Sequence, residues 1–368
     1  MESLEQMINR LCPEGVKYVK LGEACEMKRG TSVTKSSIVE GDIPVISGGM
    51  KPAYYCNSYN REGETITVAG SGASAGYIMF WNEPIFVCDA FSIKAKGDNL
   101  TKYIFHVLKN MQAAIQATKK GGGVPHVHIS SIENFIIPLP PVSVQLRIVE
   151  VLDKMTTLTA ELEAELEARK QQYEYYRNKL LTFNEIGGGI RLVRLGDVCE
   201  IGTGSHNTQD GLSEGMYPFY TRGIEILYLN SFDYDETAII TAGDGAGVGK
   251  VIHFVSGKYA LHQRAYRIVA DKKQILARYV YHYMRATFYN YIMRSSVSSS
   301  VTSVRKPMLY DYPIPLPSLE EQKRIVSILD RFEALTTDLQ IGLPAEIEAR
   351  RQQYEYYRNK LLTFDKAA

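Results

Sequence analysis

The chain has 368 residues, 45% of them apolar, with one Trp and a formal net charge of +1. That is enough apolar material for about two separately cored domains. It is too little positive charge to point to nucleic acid by electrostatic footprint alone. No apolar stretch approaches the ~18 residues of a membrane span, and Met1 to Arg10 carry neither a basic nor an apolar leader segment. The five cysteines show no C-x-x-C spacing, which fits reduced thiols. A cytoplasmic protein without membrane contact is expected.

From the N-terminus, the first 140 or so residues read as mixed α/β. Short β-rich runs, Thr65-Ile-Thr-Val68 and Tyr77-Ile-Met-Phe80, flank the glycine loop Ala69-Gly-Ser-Gly-Ala-Ser-Ala-Gly76, and a more helical stretch runs from Lys102 to Lys119. After the stop signal of Pro138, Pro140 and Pro141, residues 145–183 contain no Gly or Pro, and good helix formers predominate. The spacing predicts one long helix with a heptad seam through Leu152, Met155, Thr159, Leu162, Leu166, Arg169, Tyr173, Tyr176, Leu180 and Phe183. At ~1.5 Å per residue such a helix is roughly 58 Å long. Inside it, Thr159-Ala-Glu-Leu162 is followed by Glu163-Ala-Glu-Leu166, a quartet repeat that reads as an adjustable ruler. On spacing alone, an ordinary Glu-rich solvated face is the simpler account.

A second α/β block follows, with β-rich runs at Ala238-Ile-Ile-Thr241 and Val251-Ile-His-Phe254 around Ala242-Gly-Asp-Gly-Ala-Gly-Val-Gly-Lys250, and a helical stretch from Gln274 to Arg294. A second heptad segment runs through Leu329, Phe332 and Leu339, then restarts after Gly342-Leu-Pro344 through Ile347, Tyr354, Tyr357, Leu361 and Phe364. The two seams are predicted to pair as an antiparallel coiled coil.

The chain is also doubled. The 13 residues Gln171 to Phe183 recur unchanged at Gln352 to Phe364. Tyr18-Val-Lys-Leu-Gly-Glu-Ala-Cys-Glu26 returns as Leu192-Val-Arg-Leu-Gly-Asp-Val-Cys-Glu200, and Ile137-Pro-Leu-Pro140 with Gln145-Leu-Arg-Ile-Val149 returns as Ile314-Pro-Leu-Pro317 with Gln322-Lys-Arg-Ile-Val326. Doubling of this extent implies a pseudo-two-fold object, and two-fold partners include dimers and duplex DNA. Between the anchors the copies diverge, so each half couples a variable block to a nearly constant helix.

Catalytic patterns are missing. The glycine loops fail the P-loop pattern, because Asp244 stands where the first Gly belongs and Val251 follows Lys250, so they read as tight turns between strands. His126-Val-His128 faces Ser303 and Arg305 in the second copy, and no metal site is expected. No G-x-S-x-G, H-E-x-x-H or amino-methyltransferase motif occurs, and neither catalysis nor a cofactor is expected. The loops instead carry phosphate- and base-bonding side chains: Arg29, Lys35, Lys51, Lys119, Lys120, His126, His128, His206, Asn207, Arg222, Lys250, Arg305 and Lys306. Such residues would decorate any solvated loop.

This plan, a variable block, Ile-Pro-Leu-Pro with Gln-x-Arg-Ile-Val, and a helix ending Gln-Gln-Tyr-Glu-Tyr-Tyr-Arg, all repeated, resembles the specificity (S) subunit of type I restriction-modification systems. The resemblance implies target recognition domains at residues 1–143 and 187–319, each reading one half of a split site in double-stranded DNA. Spacer helices at 144–186 and 320–368 would set the gap. Thr159, Leu162 and Leu166 match the family's length-setting quartets, with Glu163 departing from a strict Thr-Ala-Glu-Leu repeat. Two methyltransferase subunits would bind the helices, with Tyr173, Tyr176, Arg177, Tyr354, Tyr357 and Arg358 at the partner surface or in the helix seam. Adenine methylation and cleavage would belong to modification and restriction/translocase partners. The competing readings are a coiled-coil protein scaffold without DNA specificity and a self-sufficient methyltransferase, the latter opposed by length and missing motifs.

Overall fold

The computed structural model describes residues 2–34, 39–121, 123–183, 190–295, 303–338 and 341–367. The chain divides into two compact units, Met1–Glu163 with Ile347–Ala368, and Ala164–Glu346.

The first unit opens with helix α1 (Leu4–Leu11), strand β1 (Tyr18–Lys20), helix α2 (Leu21–Ala24) and strands β2 (Cys25–Arg29), β3 (Ile43–Ile46), β4 (Tyr54–Cys56), β5 (Thr65–Ala69), β6 (Ile78–Trp81), β7 (Phe86–Val87) and β8 (Ala90–Ala95). Helices α3 (Thr101–Asn110), α4 (Gln112–Ala117) and α5 (Ile129–Ile132), strand β9 (Ile136–Pro138) and the long helix α6 (Val142–Leu181) follow. Strands β2-β8-β5-β6 form an antiparallel sheet, and β4-β3-β7 form a smaller one. All five residues of β5 are buried, because Ile66, Val68 and Ile93 of the sheet pack against Tyr103, Ile104 and Leu108 of α3. Each such fully buried aliphatic side chain contributes roughly 1.5–3 kcal/mol of transfer free energy.

The second unit repeats this order with β10 (Leu192–Arg194), α7 (Leu195–Val198), β11 (Cys199–Thr203), β12 (Tyr217–Tyr220), β13 (Leu227–Leu229), β14 (Tyr234–Ala242), β15 (Ile252–Leu261), β16 (Ala265–Ala270), α8 (Ala277–Ser295), α9 (Lys306–Tyr310), β17 (Pro313–Pro315) and α10 (Leu319–Thr337); α11 (Leu343–Leu361) completes the chain. Six of its strands join into one sheet, β11-β16-β14-β15-β12-β13, while β10 pairs antiparallel with β17. The single sheet exists because β15 is ten residues long and pairs with both β14 and β12. In the first unit the equivalent span is split between β6 and β7, with Pro84, which has no N–H to donate, in the gap. Cys25 and Cys199 open equivalent strands, and burial pushes both thiols up to about 12.

The glycine loops are the predicted turns, joining β5 to β6 and β14 to β15. Gly72 and Gly245 have φ +82° and +79°, a left-handed conformation that favours glycine.

The long helix begins three residues before its predicted start and ends two before its predicted end. In the first unit Val144, Ile148 and Leu152 of α6 share a core with Leu361, the last residue of α11, and Leu362 just after it. The Tyr18 hydroxyl donates to the Phe364 carbonyl at 2.9 Å, so the start of α6 and the tail after α11 both lie against this block. The two segments meet again at Glu163 and Arg351, 2.6 Å apart, which makes the pairing within this unit antiparallel. In the second unit Tyr173 and Leu181, at the end of α6, share a core with Ile325, Leu329 and Phe332 near the start of α10. Most seam residues are buried or half-buried; Tyr176 and Tyr357 are more exposed, and Leu339 lies outside the described residues.

The second helical copy is interrupted. The repeat offset rises from 177 at Gln145 and Gln322 to 181 at Gln171 and Gln352, and this four-residue excess falls between the end of α10 at Thr337 and the start of α11 at Leu343. The excess therefore coincides with the interval between two helices, where the first copy has one continuous helix.

Candidate nucleic-acid interface

Each block is fastened to its helix by the same bonds. The buried Gln145 side chain accepts from the Leu100 amide at 3.0 Å and donates to the Pro140 carbonyl at 2.8 Å. Gln322 accepts from the Leu276 amide at 2.8 Å and donates to the Pro317 carbonyl at 2.9 Å. Tyr103 and Tyr279 donate to the carbonyls of Pro138 and Pro315. One turn further along, His106 Nε2 lies 2.9 Å from Asp153, and His282 Nε2 lies 2.7 Å from Asp330. Both rings are fully buried, and neither Nδ1 has a hydrogen-bond partner among the described residues. The neutral Nε2–H tautomer fits this geometry: it donates to the carboxylate and leaves a bare lone pair, not a stranded N–H, in the core. Burial lowers both histidine pKa values, against the pull of the carboxylates. These pairs escaped sequence reading, although His106 and His282 stand 176 apart and Asp153 and Asp330 stand 177 apart.

His282, Asp330 and Glu333 bring three potential ligand atoms within 4.8 Å. Their chemistry argues against a cation. The Arg278 guanidinium bonds both carboxylates, and Arg285 bonds Glu333, so the negative charge is already matched.

The opposite end of each block is built on the glycine turns. Gly70 N–H donates to the Asp89 carbonyl and its C=O accepts from Val127; Gly243 N–H donates to the Arg264 carbonyl and its C=O accepts from Val304. Backbone equivalence thus pairs Ser71 with Asp244, Asp89 with Arg264 and His126 with Ser303. In the first block the Ser71 hydroxyl is bonded to the exposed Asp89 carboxylate. In the second, Asp244 accepts from Arg222 at 2.8 Å and from Arg264 at 2.9 Å. Burial opposes ionisation of Asp244, but the two guanidiniums hold its pKa below the usual carboxylate range.

Several candidate DNA contacts gather here. Lys119 donates to the Ala73 carbonyl at 3.0 Å, Lys120 pairs through its backbone with His126, and the His126 and His128 rings stack at 5.9 Å. The turn carrying Lys51 sits beside Ser71, since a Cβ on Gly48 would meet the Ser71 carbonyl at 2.5 Å. Arg29 ends β2 in register with Phe91, two residues from Asp89. In the second block Arg222, Asp244 and Lys250 line an open pocket of about 780 Å³. His206 bridges to His262, and the Asn207 side chain accepts from Gln263. Arg305 stands at the N-cap position of α9 without a side-chain capping bond, and Lys306 opens the helix. Lys35 lies outside the described residues. No local pattern marks Asp89, Asp244 and Arg264 as site residues: the first two carry the same sign of charge as a phosphate, and the third stands outside the β-rich runs and glycine loops.

On the helices, Tyr173 is 8% exposed and packs against Phe332, while Tyr354 is half-buried under Arg358. Arg177 lies 5.6 Å from the Tyr173 ring. The residues left open are Tyr175 and Tyr356, 59% and 61% exposed, in edge-on pairs with Tyr176 and Tyr357 at 5.3 Å. Thr159 bonds back to the Met155 carbonyl, and Leu162 and Leu166 are half-buried. Among the described residues no helix is long and apolar enough to cross a membrane.

A family model for the type I restriction modification DNA specificity domain matches the chain twice, at residues 13–169 and 189–349. The EcoR124I/EcoR124II specificity subunit of Escherichia coli is 32% identical, over 100% of this chain and 98% of that one. A putative type I restriction enzyme specificity subunit of Haemophilus influenzae is 30% identical, over 90% of each. The crystal structure of an S subunit from M. genitalium shares the fold at TM-score 0.71 and 17% identity, covering 95% of this chain and 96% of that one. With both halves matched over nearly their whole length, the chain belongs to the type I restriction-modification specificity subunits, a family that confers DNA specificity and leaves catalysis to other subunits.

Proposed function

We propose that the two blocks are target recognition domains reading the two halves of one split DNA site, while the helices fix the gap and carry the methyltransferase partners. The observation that carries this is the contrast within each block. An unchanged joint at one end holds a tip whose backbone is repeated but whose side chains are replaced. A duplicated scaffold with divergent loop chemistry is what reading two different half-sequences requires. Modest net charge is acceptable because partner subunits can supply phosphate neutralisation. The boundaries 1–143 and 187–319 for the reading blocks, and 144–186 and 320–368 for the spacers, follow from the same reading. A cytoplasmic location follows from action on cellular DNA.

Within this scheme the exposed pairs Tyr175–Tyr176 and Tyr356–Tyr357 are the docking points for two methyltransferase subunits, and translocase subunits join the full complex. Tyr173 and Tyr354 serve the helix seam. The quartets act as the ruler. Deleting Glu163 to Leu166 removes ~6 Å of helix, so the gap between half-sites should shorten by about one to two base pairs at ~3.4 Å per step, with both half-sequences unchanged. Sequencing of methylated sites in cells expressing the deletion with its partners checks this. An altered half-sequence or an unaltered gap defeats the ruler.

A further inference from the structure

The equivalent positions Asp89 and Arg264 precede the last strand of their sheets, β8 and β16, and face the glycine turns across the same backbone bond. Each side chain is held by a partner on that turn. Ser71 bonds one oxygen of Asp89, and the other, Oδ1, has no donor among the described residues. Asp244 holds Nη1 of Arg264, whose Nε and Nη2 have no acceptor among the described residues. The Arg264 side chain is 64% exposed, while Asp244 beneath it is 21% exposed. A guanidinium pinned through Nη1 presents the parallel Nε–H and Nη2–H pair outward, the fork that matches O6 and N7 of guanine. A carboxylate pinned through one oxygen presents an acceptor, which matches an exocyclic amino group. The turns leave room for close approach, since a Cβ on Gly72 or Gly245 would meet nothing within 4 Å.

We propose that this one position is a base-reading site in both blocks, with opposite polarity: Arg264 reads a guanine in one half-site, and Asp89 reads the amino group of cytosine or adenine in the other. Asp244 and Ser71 are positioning residues. The inference rests on the reading of the blocks as recognition domains, and it adds the chemistry of one base in each half.

The test is sequencing of methylated sites in cells expressing the full chain with its partner subunits. The wild type should give a split motif with a guanine in one half and a cytosine or adenine requirement in the other. Arg264→Ala should relax that guanine alone, by roughly ten- to a hundred-fold in preference, and Asp89→Asn should relax a position only in the other half. Retention of the untouched half in each variant reports that the protein folds and assembles. The double change Ser71→Asp with Asp89→Arg, which copies the second block's pair into the first, should convert the relaxed position to guanine. A motif kept at full preference in Arg264→Ala, or a loss spread evenly over all sequences as from a phosphate contact, overturns the assignment while leaving the recognition reading intact. A wild-type complex that methylates without any split motif overturns the recognition reading itself.

Discussion

The base and the tip of each block evolve under different physics. At the base, Gln145, Tyr103, His106 and Asp153 make bonds that Gln322, Tyr279, His282 and Asp330 make again, nearly atom for atom. At the tip, Ser71 and Asp89 give way to Asp244 and Arg264 on the same backbone. Buried polar groups tolerate little substitution, because a lost partner leaves an unsatisfied group in the core. Exposed groups above a glycine turn can change sign at small cost to the fold. A joint that cannot vary and a tip that can are what allow one scaffold to be used twice.

The strongest way to break this comparison is at the glutamines. Gln145→Ala and Gln322→Ala each strand a buried amide and carbonyl, and each should destabilise its own unit by about 2–3 kcal/mol. Hydrogen exchange resolved by unit would measure both. Unequal costs, beyond about 1 kcal/mol, would show that the joints are alike in geometry and not in energetics.

The buried histidines give a smaller effect that sharpens the same point. Their folded-state pKa values are lowered by burial, so the folded chain binds fewer protons than the unfolded one. Stability from this source is present above the unfolded value of about 6.5 and drains away as pH falls below it. Thermal unfolding from pH 7.5 to 5 should show the loss, and His106→Gln with His282→Gln should flatten it. A profile unchanged by the double substitution would place the acid sensitivity elsewhere.

How much of this was legible in the sequence follows from the range of the signal. The helix from Val142 to Leu181 was readable because its seam repeats within a few residues. The glycine turns were readable because φ-positive positions recruit glycine locally. His106 and Asp153 were not readable, being 47 residues apart and joined only by the packing of α3 on α6. Asp89 and Arg264 were hidden for another reason. Their equivalence depends on a strand register, Ala69 with Ala90 and Ala242 with Ala265, that no local pattern announces. The interval between α10 and α11 was half visible, in Gly342 and Pro344, but its coincidence with the four-residue excess needed both helix ends.

The smallest effect on stability is expected at the helix surface, and there the comparison turns from the blocks to the tyrosines. Tyr173 is buried against Phe332, so Tyr173→Ala should cost about 3 kcal/mol through the cavity it leaves. Tyr175 and Tyr356 are mostly exposed, so Tyr175→Ala with Tyr356→Ala should change stability by less than about 0.5 kcal/mol. Copurification with the methyltransferase subunit should rank the variants in a different order. The exposed pair should lose partner binding while its unfolding transition stays put, since aromatic anchors on an interface lose affinity when truncated without harming the free subunit. If the exposed double variant assembles as well as the parent, the docking surface lies off this face of the helices and the repeated Tyr-Glu-Tyr-Tyr-Arg motif is explained by its buried tyrosine alone.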